Sequence, residues 1–304
     1  MDRALLKSVS RSFYLSMAWL PPAMRHSVAL GYMLARATDS VADTSRADVQ
    51  ERADVLHRMA RAVAGEEDPA ALCDTLARRM APAQDKPAEA TLLRRFAEFL
   101  QELEATPEAE RALIRRVLAT IVEGQLWDLT YFTPDCTAVA DDAMTDLYAH
   151  RVAGCVGEFW TRLGRTALGD AFCPAARTEI MCAAAVRYGK GLQLVNILRD
   201  MQEDAARGRS YLCSTPAVWI ERAERYLADG IDYSLRLGGF RLRFAAMLPA
   251  LIGRKTLRLI RARQGTERVK ISRRAVYACM LHAAWRANFP NCFGTAPRCL
   301  TPAG

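Results

Sequence analysis

Apolar residues recur at i, i+3, i+4 and i+7 through most of this chain, and the period-two alternation of a strand is hard to find. The pattern predicts helices over 24–44, 46–65, 91–104, 107–130, 145–168, 189–209, 218–237 and 240–264, with a last helix ending near Asn288. The fold class that follows is all-α. Residues 8–20 (SVSRSFYLSMAWL) form an aromatic-apolar run closed by Pro21 and Pro22. Residues 66–90 carry Pro69, Pro82 and Pro87 and read as a loop-rich connection around one short helix, because the residues before it are too few to hold a core of their own. The expected organisation is one helical domain over 1–290 with a tail at 291–304.

The polar positions of two predicted helices are not scattered. In GKGLQLVNILRDMQEDAARGR, Gln193, Asn196, Asp200 and Asp204 are spaced by three, four and four. At about 100° per residue they share a stripe roughly 80° wide. Arg199, Glu203, Arg207 and Arg209 lie beside it or just beyond. In GYMLARATDSVADTS, Tyr32, Arg36, Asp39 and Asp43 repeat the arrangement with spacings of four, three and four. Carboxylates stacked on one helix face repel unless something positive sits between them. Mg²⁺ is the hard cation that takes oxygen ligands and bridges to phosphates, and the interleaved arginines suit a polyanion gripped directly. A single acidic i,i+4 pair is usually a solvated face. Two ladders in apolar helices, both with arginine, point to a diphosphate site, expected where the two helices face each other across a cavity.

Charge sharpens this picture and composition limits it. The chain has 304 residues, 51% hydrophobic and 25% charged, with a formal net charge of +8. That balance suits an anionic substrate or surface. Between positions 236 and 274 twelve Lys and Arg face one acid, Glu267, yet no nucleic-acid signature accompanies them, so no nucleic-acid partner is expected. Nine cysteines without a C-x-x-C pair suggest reduced thiols and a cytoplasmic setting, and His26, His57, His150 and His282 lack metal-ligand spacing. No apolar run reaches the ~18 residues of a membrane span. A greasy substrate would be met at the membrane surface, which leaves peripheral contact at the inner face open, with 240–263 as one basic-apolar segment. No G-x-G-x-x-G follows a strand. A monomer is expected.

With these motifs in order, the chain resembles the squalene/phytoene synthase family of head-to-head trans-isoprenyl diphosphate synthases. The resemblance runs from about Leu6 to about Ala287. It is carried by SRSF at 10–13, LARATDSVAD at 34–43, YAHRVAGCVG at 148–157 and LQLVNILRDMQED at 192–204. It implies a helical bundle around a central cavity and condensation of two prenyl diphosphates through a cyclopropyl diphosphate. By position it implies Asp39, Asp43, Asp200 and Asp204 as Mg²⁺-diphosphate ligands supported by Asn196 and Glu203. It implies Arg11, Arg36, Arg199 and Arg209 as diphosphate-binding groups, with Ser10, Tyr32 and Gln193 at the substrate and Tyr148 in proton removal. Ala42 stands where eukaryotic members carry an acid before the last aspartate, so one metal contact is missing or made by water.

The stretch Val269-Lys270-Ile271 resembles the segment that contributes to NADPH phosphate binding in squalene-forming members. It implies Lys270 as a cofactor contact alongside Arg11 and Arg36. The next basic position falls on Ser272, with Arg273 one step later. The implied reaction takes two farnesyl diphosphates to presqualene diphosphate and then, with NADPH, to squalene, a precursor of sterols, hopanoids or carotenoids. The alternatives are a dehydrosqualene or phytoene synthase, a presqualene diphosphate synthase that omits the reduction, and a non-catalytic prenyl-lipid-binding protein.

Overall fold

The computed structural model describes residues 2–10, 13–263 and 268–290. Among them the chain is helical, with two isolated β-bridges, Thr133 to Cys136 and Ala138 to Ser210, and no strand. The all-α expectation holds. The residues fall into two compact units, Met1–Met17 with Pro22–Tyr131, and Ala18–Pro21 with Phe132–Gly304.

The first unit contains α1 (Arg3–Ser10), most of α2 (Phe13–Trp19), α3 (Pro22–Asp43), α4 (Val49–Ala64), α5 (Pro69–Thr75), α6 (Pro87–Arg94), α7 (Phe96–Glu104) and α8 (Glu108–Tyr131). The ends of these helices follow the local chemistry. Asp48 caps α4 by accepting from the Glu51 amide at 2.9 Å, and Gly65 closes it at φ 82°, a left-handed conformation that glycine adopts without strain. Helix α3 is the centre of this unit and packs on α4, α6, α7 and α8. It buries Met24, Leu30, Met33, Leu34, Ala37 and Val41. The predicted helix over 91–104 is broken at Arg95 (φ −99°, ψ 14°), whose guanidinium bridges Glu98 and Asp2, both at 2.7 Å. Long-range ion pairing of this kind leaves no periodic signal.

The second unit is built on α11 (Thr178–Ala206), which packs on α10 (Cys155–Leu168), α12 (Pro216–Leu235) and α13 (Gly239–Arg261). Helix α9 (Asp142–Ala149) runs through a π-helical turn, His150–Gly154, into α10, and α14 (Arg273–Asn288) packs on α13. The stripe-bearing helix, expected to start at Gly189, starts at Thr178. Gly189 and Gly191 lie inside it and serve close packing. A Cβ on Gly189 would stand 2.2 Å from the Ala153 carbonyl oxygen, and one on Gly157 would stand 2.0 Å from that of Ala185. The small residues of 152–157 therefore bring two helices together. The tail at 291–304 lies outside the described residues.

Candidate active site: two carboxylate stripes, each answered by arginine

In α3 the expected stripe is present. Arg36 forms ion pairs with Asp39, one turn on, and with Glu89 of α6. Glu89 is buried and is also held by Lys86 at 2.9 Å. Partial burial and the neighbouring Asp43 push the Asp39 pKa up to about 7, even though Arg36 pulls it down. The Arg36 Nε is buried with no hydrogen-bond partner, a donor left over after both carboxylates are served. Tyr32 lies one turn earlier; its hydroxyl donates to the Val9 carbonyl at 3.0 Å, and its ring stacks on Phe13. Ser10 ends α1 and gives its hydroxyl proton to the Leu6 carbonyl at 2.5 Å. Arg11 lies outside the described residues.

In α11 the second stripe carries Gln193, Asn196, Asp200 and Asp204, and Asn196 donates to Gln193 at 3.4 Å. Arg199 grips Asp200 with two bonds, 2.8 and 2.6 Å. A second arginine arrives from the segment before α14: Arg268 Nε is 2.8 Å from Asp200, and its Nη1 is 3.4 Å from Glu203. Burial alone would raise the Asp200 pKa, but hydrogen bonds and charge from Arg199 and Arg268 outweigh it and hold the group below the usual carboxylate range. After α11, Gly208 turns the chain at φ 73°, and the Arg209 amide closes the turn on the Asp204 carbonyl at 2.9 Å.

Tyr148 lies in the last turn of α9, immediately before the π-helical turn. It is half-buried and stacks on Tyr211 with centroids 4.9 Å apart and planes 14° apart. Tyr211 is itself pinned through its carbonyl by the Thr145 hydroxyl at 2.6 Å. The Tyr148 ring plane is therefore fixed by its neighbour, and π-helical turns are over-represented at functional positions. Lys270 and Arg273 are exposed, and Ser272 caps α14 by accepting from the Ala275 amide at 3.2 Å.

Two participants escaped sequence reasoning. Glu89 stands in the segment read as a surface connection, and nothing local marks it as the partner of an arginine 53 residues away. Arg268 follows no helical stripe; its only signal was its place at the head of the basic run 268–274. As for metal fit, no three His, Cys, Asp or Glu converge as a ready cluster among the described residues. The donors come as carboxylate pairs, Asp39 with Asp43 and Asp200 with Asp204, each with an arginine beside it. That oxygen-only donor set suits Mg²⁺, which is held by few carboxylates and completes its shell with water and phosphate.

A sequence model of the family described as squalene/phytoene synthase matches residues 6–215. This chain belongs to that family. It is 31% identical over 230 residues to a presqualene diphosphate synthase of Zymomonas mobilis, covering 72% of this chain and 63% of that protein. It is also 31% identical to a bifunctional lycopene cyclase/phytoene synthase of Colletotrichum graminicola, covering 72% of this chain and 34% of that one. The chain thus spans less than two thirds of the length of these relatives. Its fold is similar to that of TcSQS solved with the ligand E5700, with a TM-score of 0.70, 20% identity, and coverage of 98% of this chain and 92% of the other.

Proposed function

We propose that the chain is a Mg²⁺-dependent prenyltransferase that joins two farnesyl diphosphates head to head to form presqualene diphosphate. What supports this most is Arg36, whose Nε is a buried donor without a hydrogen-bond partner on the helix that carries Asp39 and Asp43. A diphosphate oxygen would satisfy that donor. The 31% likeness to a presqualene diphosphate synthase supports the same first half-reaction.

Asp39 and Asp43 of α3 are assigned to Mg²⁺–diphosphate binding, and so are Asp200 and Asp204 of α11, with Asn196 and Glu203 in support. The metal would neutralise the diphosphate leaving group and so lower the barrier to C–O cleavage. Arg36, Arg199 and Arg209 donate to the diphosphate oxygens, and Arg11 is assigned to the same task. Ser10, Tyr32 and Gln193 are assigned to the substrate beside them. Asp200 is already ionised and aimed, because Arg199 and Arg268 keep it so. Tyr148 is assigned to removal of the proton lost as the cyclopropane ring closes, relaying its own hydroxyl proton to a diphosphate oxygen as it takes up that proton, and its stacking on Tyr211 fixes its ring plane.

A second reading continues with NADPH to squalene. One observation favours it: Arg268 ties the segment that carries Lys270 to Asp200. A cofactor phosphate at Lys270 and Arg273 would then be bound two and five residues along the chain from a contact of the diphosphate motif. The experiment is product analysis on the wild type and Lys270→Ala, each with farnesyl diphosphate, Mg²⁺ and NADPH. Squalene from the wild type, with presqualene diphosphate accumulating in the variant, supports the reductive reading. Presqualene diphosphate from both, unchanged by NADPH, limits the enzyme to the first half-reaction. No condensation by the wild type removes the proposal.

A further inference from the structure

The described chain closes with an amphipathic feature that the diphosphate reading does not use. Helix α14 buries Ala283 and Ala287 on its inner side. Its outer side carries Tyr277, Leu281 and Trp285 at successive i+4 positions, followed by Phe289 just past the helix end. These four are 63%, 75%, 49% and 50% exposed. Large apolar side chains left out of the core in this way form a contiguous ridge about 18 Å long. Residues scattered singly on a surface would need no explanation, but a ridge does.

Its own segment carries one sign of charge, although Arg268 is paired with Asp200 and Glu203 of α11. Over 268–290 the chain has Arg268, Lys270, Arg273, Arg274 and Arg286 and no acid. Arg273, Arg274 and Lys270 are exposed at the head of the helix. From α13, Lys255 acts on Cys279, and Arg254 acts on His282 and Arg286. The acid that reaches this cluster in those interactions is Asp232 of α12, which acts on Arg286. An apolar aromatic ridge in a basic setting has two candidate occupants. A second copy of this chain, docked symmetrically, would bring the same basic groups against each other. A bilayer with anionic headgroups satisfies the charge and the apolar ridge together, and Tyr and Trp are the side chains favoured at that depth.

We propose that the outer face of α14 docks the protein on an anionic phospholipid surface, with Leu281 and Trp285 entering the headgroup boundary and Arg274 and its neighbours on the phosphates. The sequence offered 240–263 as one basic-apolar segment for such contact, with a core helix bearing a solvated face as the preferred reading. That segment is α13, and its apolar residues Leu242, Phe244, Met247, Leu248 and Leu257 are core. This inference stands apart from the diphosphate reading, since its test needs neither substrate nor metal.

The test is vesicle co-sedimentation of the full chain with phosphatidylcholine alone and with phosphatidylcholine mixed with phosphatidylglycerol. Binding is expected to the mixed vesicles only, and to weaken as salt rises. Arg274→Gln should weaken it roughly fivefold. Leu281→Glu and Trp285→Glu, whose side chains are exposed, should abolish it while leaving circular dichroism and thermal midpoint unchanged. Failure of the wild type to bind mixed vesicles, or equal binding by the two glutamate variants, overturns the proposal. So does a concentration-dependent dimer that Leu281→Glu dissociates when no vesicle binding is seen, an outcome that assigns the ridge to a second copy.

Discussion

Gly157→Ala is a one-methyl change that tests how the helix bearing Asp200 is seated. The added Cβ would stand 2.0 Å from the Ala185 carbonyl oxygen and 2.5 Å from its carbon, both backbone atoms of α11. Ordinary contact begins at 3.4 Å, so α10 and α11 must part by about 1.4 Å (3.4 − 2.0). Overpacking costs about 1–3 kcal/mol, and the better helix propensity of alanine returns about 1 kcal/mol. The atom met is backbone, so a whole helix must move and the upper part of that range applies. A net loss of about 2 kcal/mol follows, which lowers the thermal midpoint by roughly 4–8 °C. Gly154→Ala is the control. Its Cβ would meet the His150 and Lys190 side chains at 3.0 and 3.2 Å. Those side chains can yield, so its stability should stay within about 1 kcal/mol of wild type. Thermal and urea melts followed by circular dichroism measure both. A Gly157→Ala protein as stable as wild type, or a Gly154→Ala protein that is less stable than Gly157→Ala, would refute the close seating of α10 on α11.

Asp200→Asn should remove turnover with farnesyl diphosphate while leaving the circular dichroism spectrum intact; retained turnover would exclude Asp200 from the diphosphate site. Arg268→Gln should bind Mn²⁺, read by electron paramagnetic resonance, more tightly than wild type, because it deletes a cation at 2.8 Å from Asp200; unchanged or weaker binding would show that Arg268 does not compete with metal. The Asp39 pKa is raised from 3.8 to about 7, so its contribution to stability is full below the unfolded value and is lost as pH rises through about 7. Asp39→Asn, neutral throughout, should flatten that part of the stability profile measured by urea melts, and an unchanged slope would count against the raised pKa.

Much of the fold was legible because helices announce themselves by period. The predicted helices over 24–44, 46–65 and 107–130 stand as α3, α4 and α8 within a few residues. What the period missed was decided by contacts distant in sequence or by backbone geometry. Non-helical dihedrals at Arg95 split one predicted helix, and the π-helical turn at 150–154 interrupts what the sequence pattern showed as one helix. Gly189 reads as a boundary because glycine usually marks one, yet it is an interior position where the backbone at Ala153 leaves no room for a Cβ. The two stripes were legible for the same reason as the helices: one helix face holds each of them. Their arginine partners on the same helix, Arg36 and Arg199, were visible too. Glu89 and Arg268 reach the stripes from other segments, and no spacing rule foretells that.

The most direct test of the two-stripe site is incubation of the purified protein with farnesyl diphosphate in Mg²⁺ and, in parallel, in EDTA, with extraction of the diphosphate products. Presqualene diphosphate formed in Mg²⁺, absent in EDTA, and absent from both Asp39→Asn and Asp200→Asn is the expected result. Condensation that persists in EDTA, or in either variant, would contradict it.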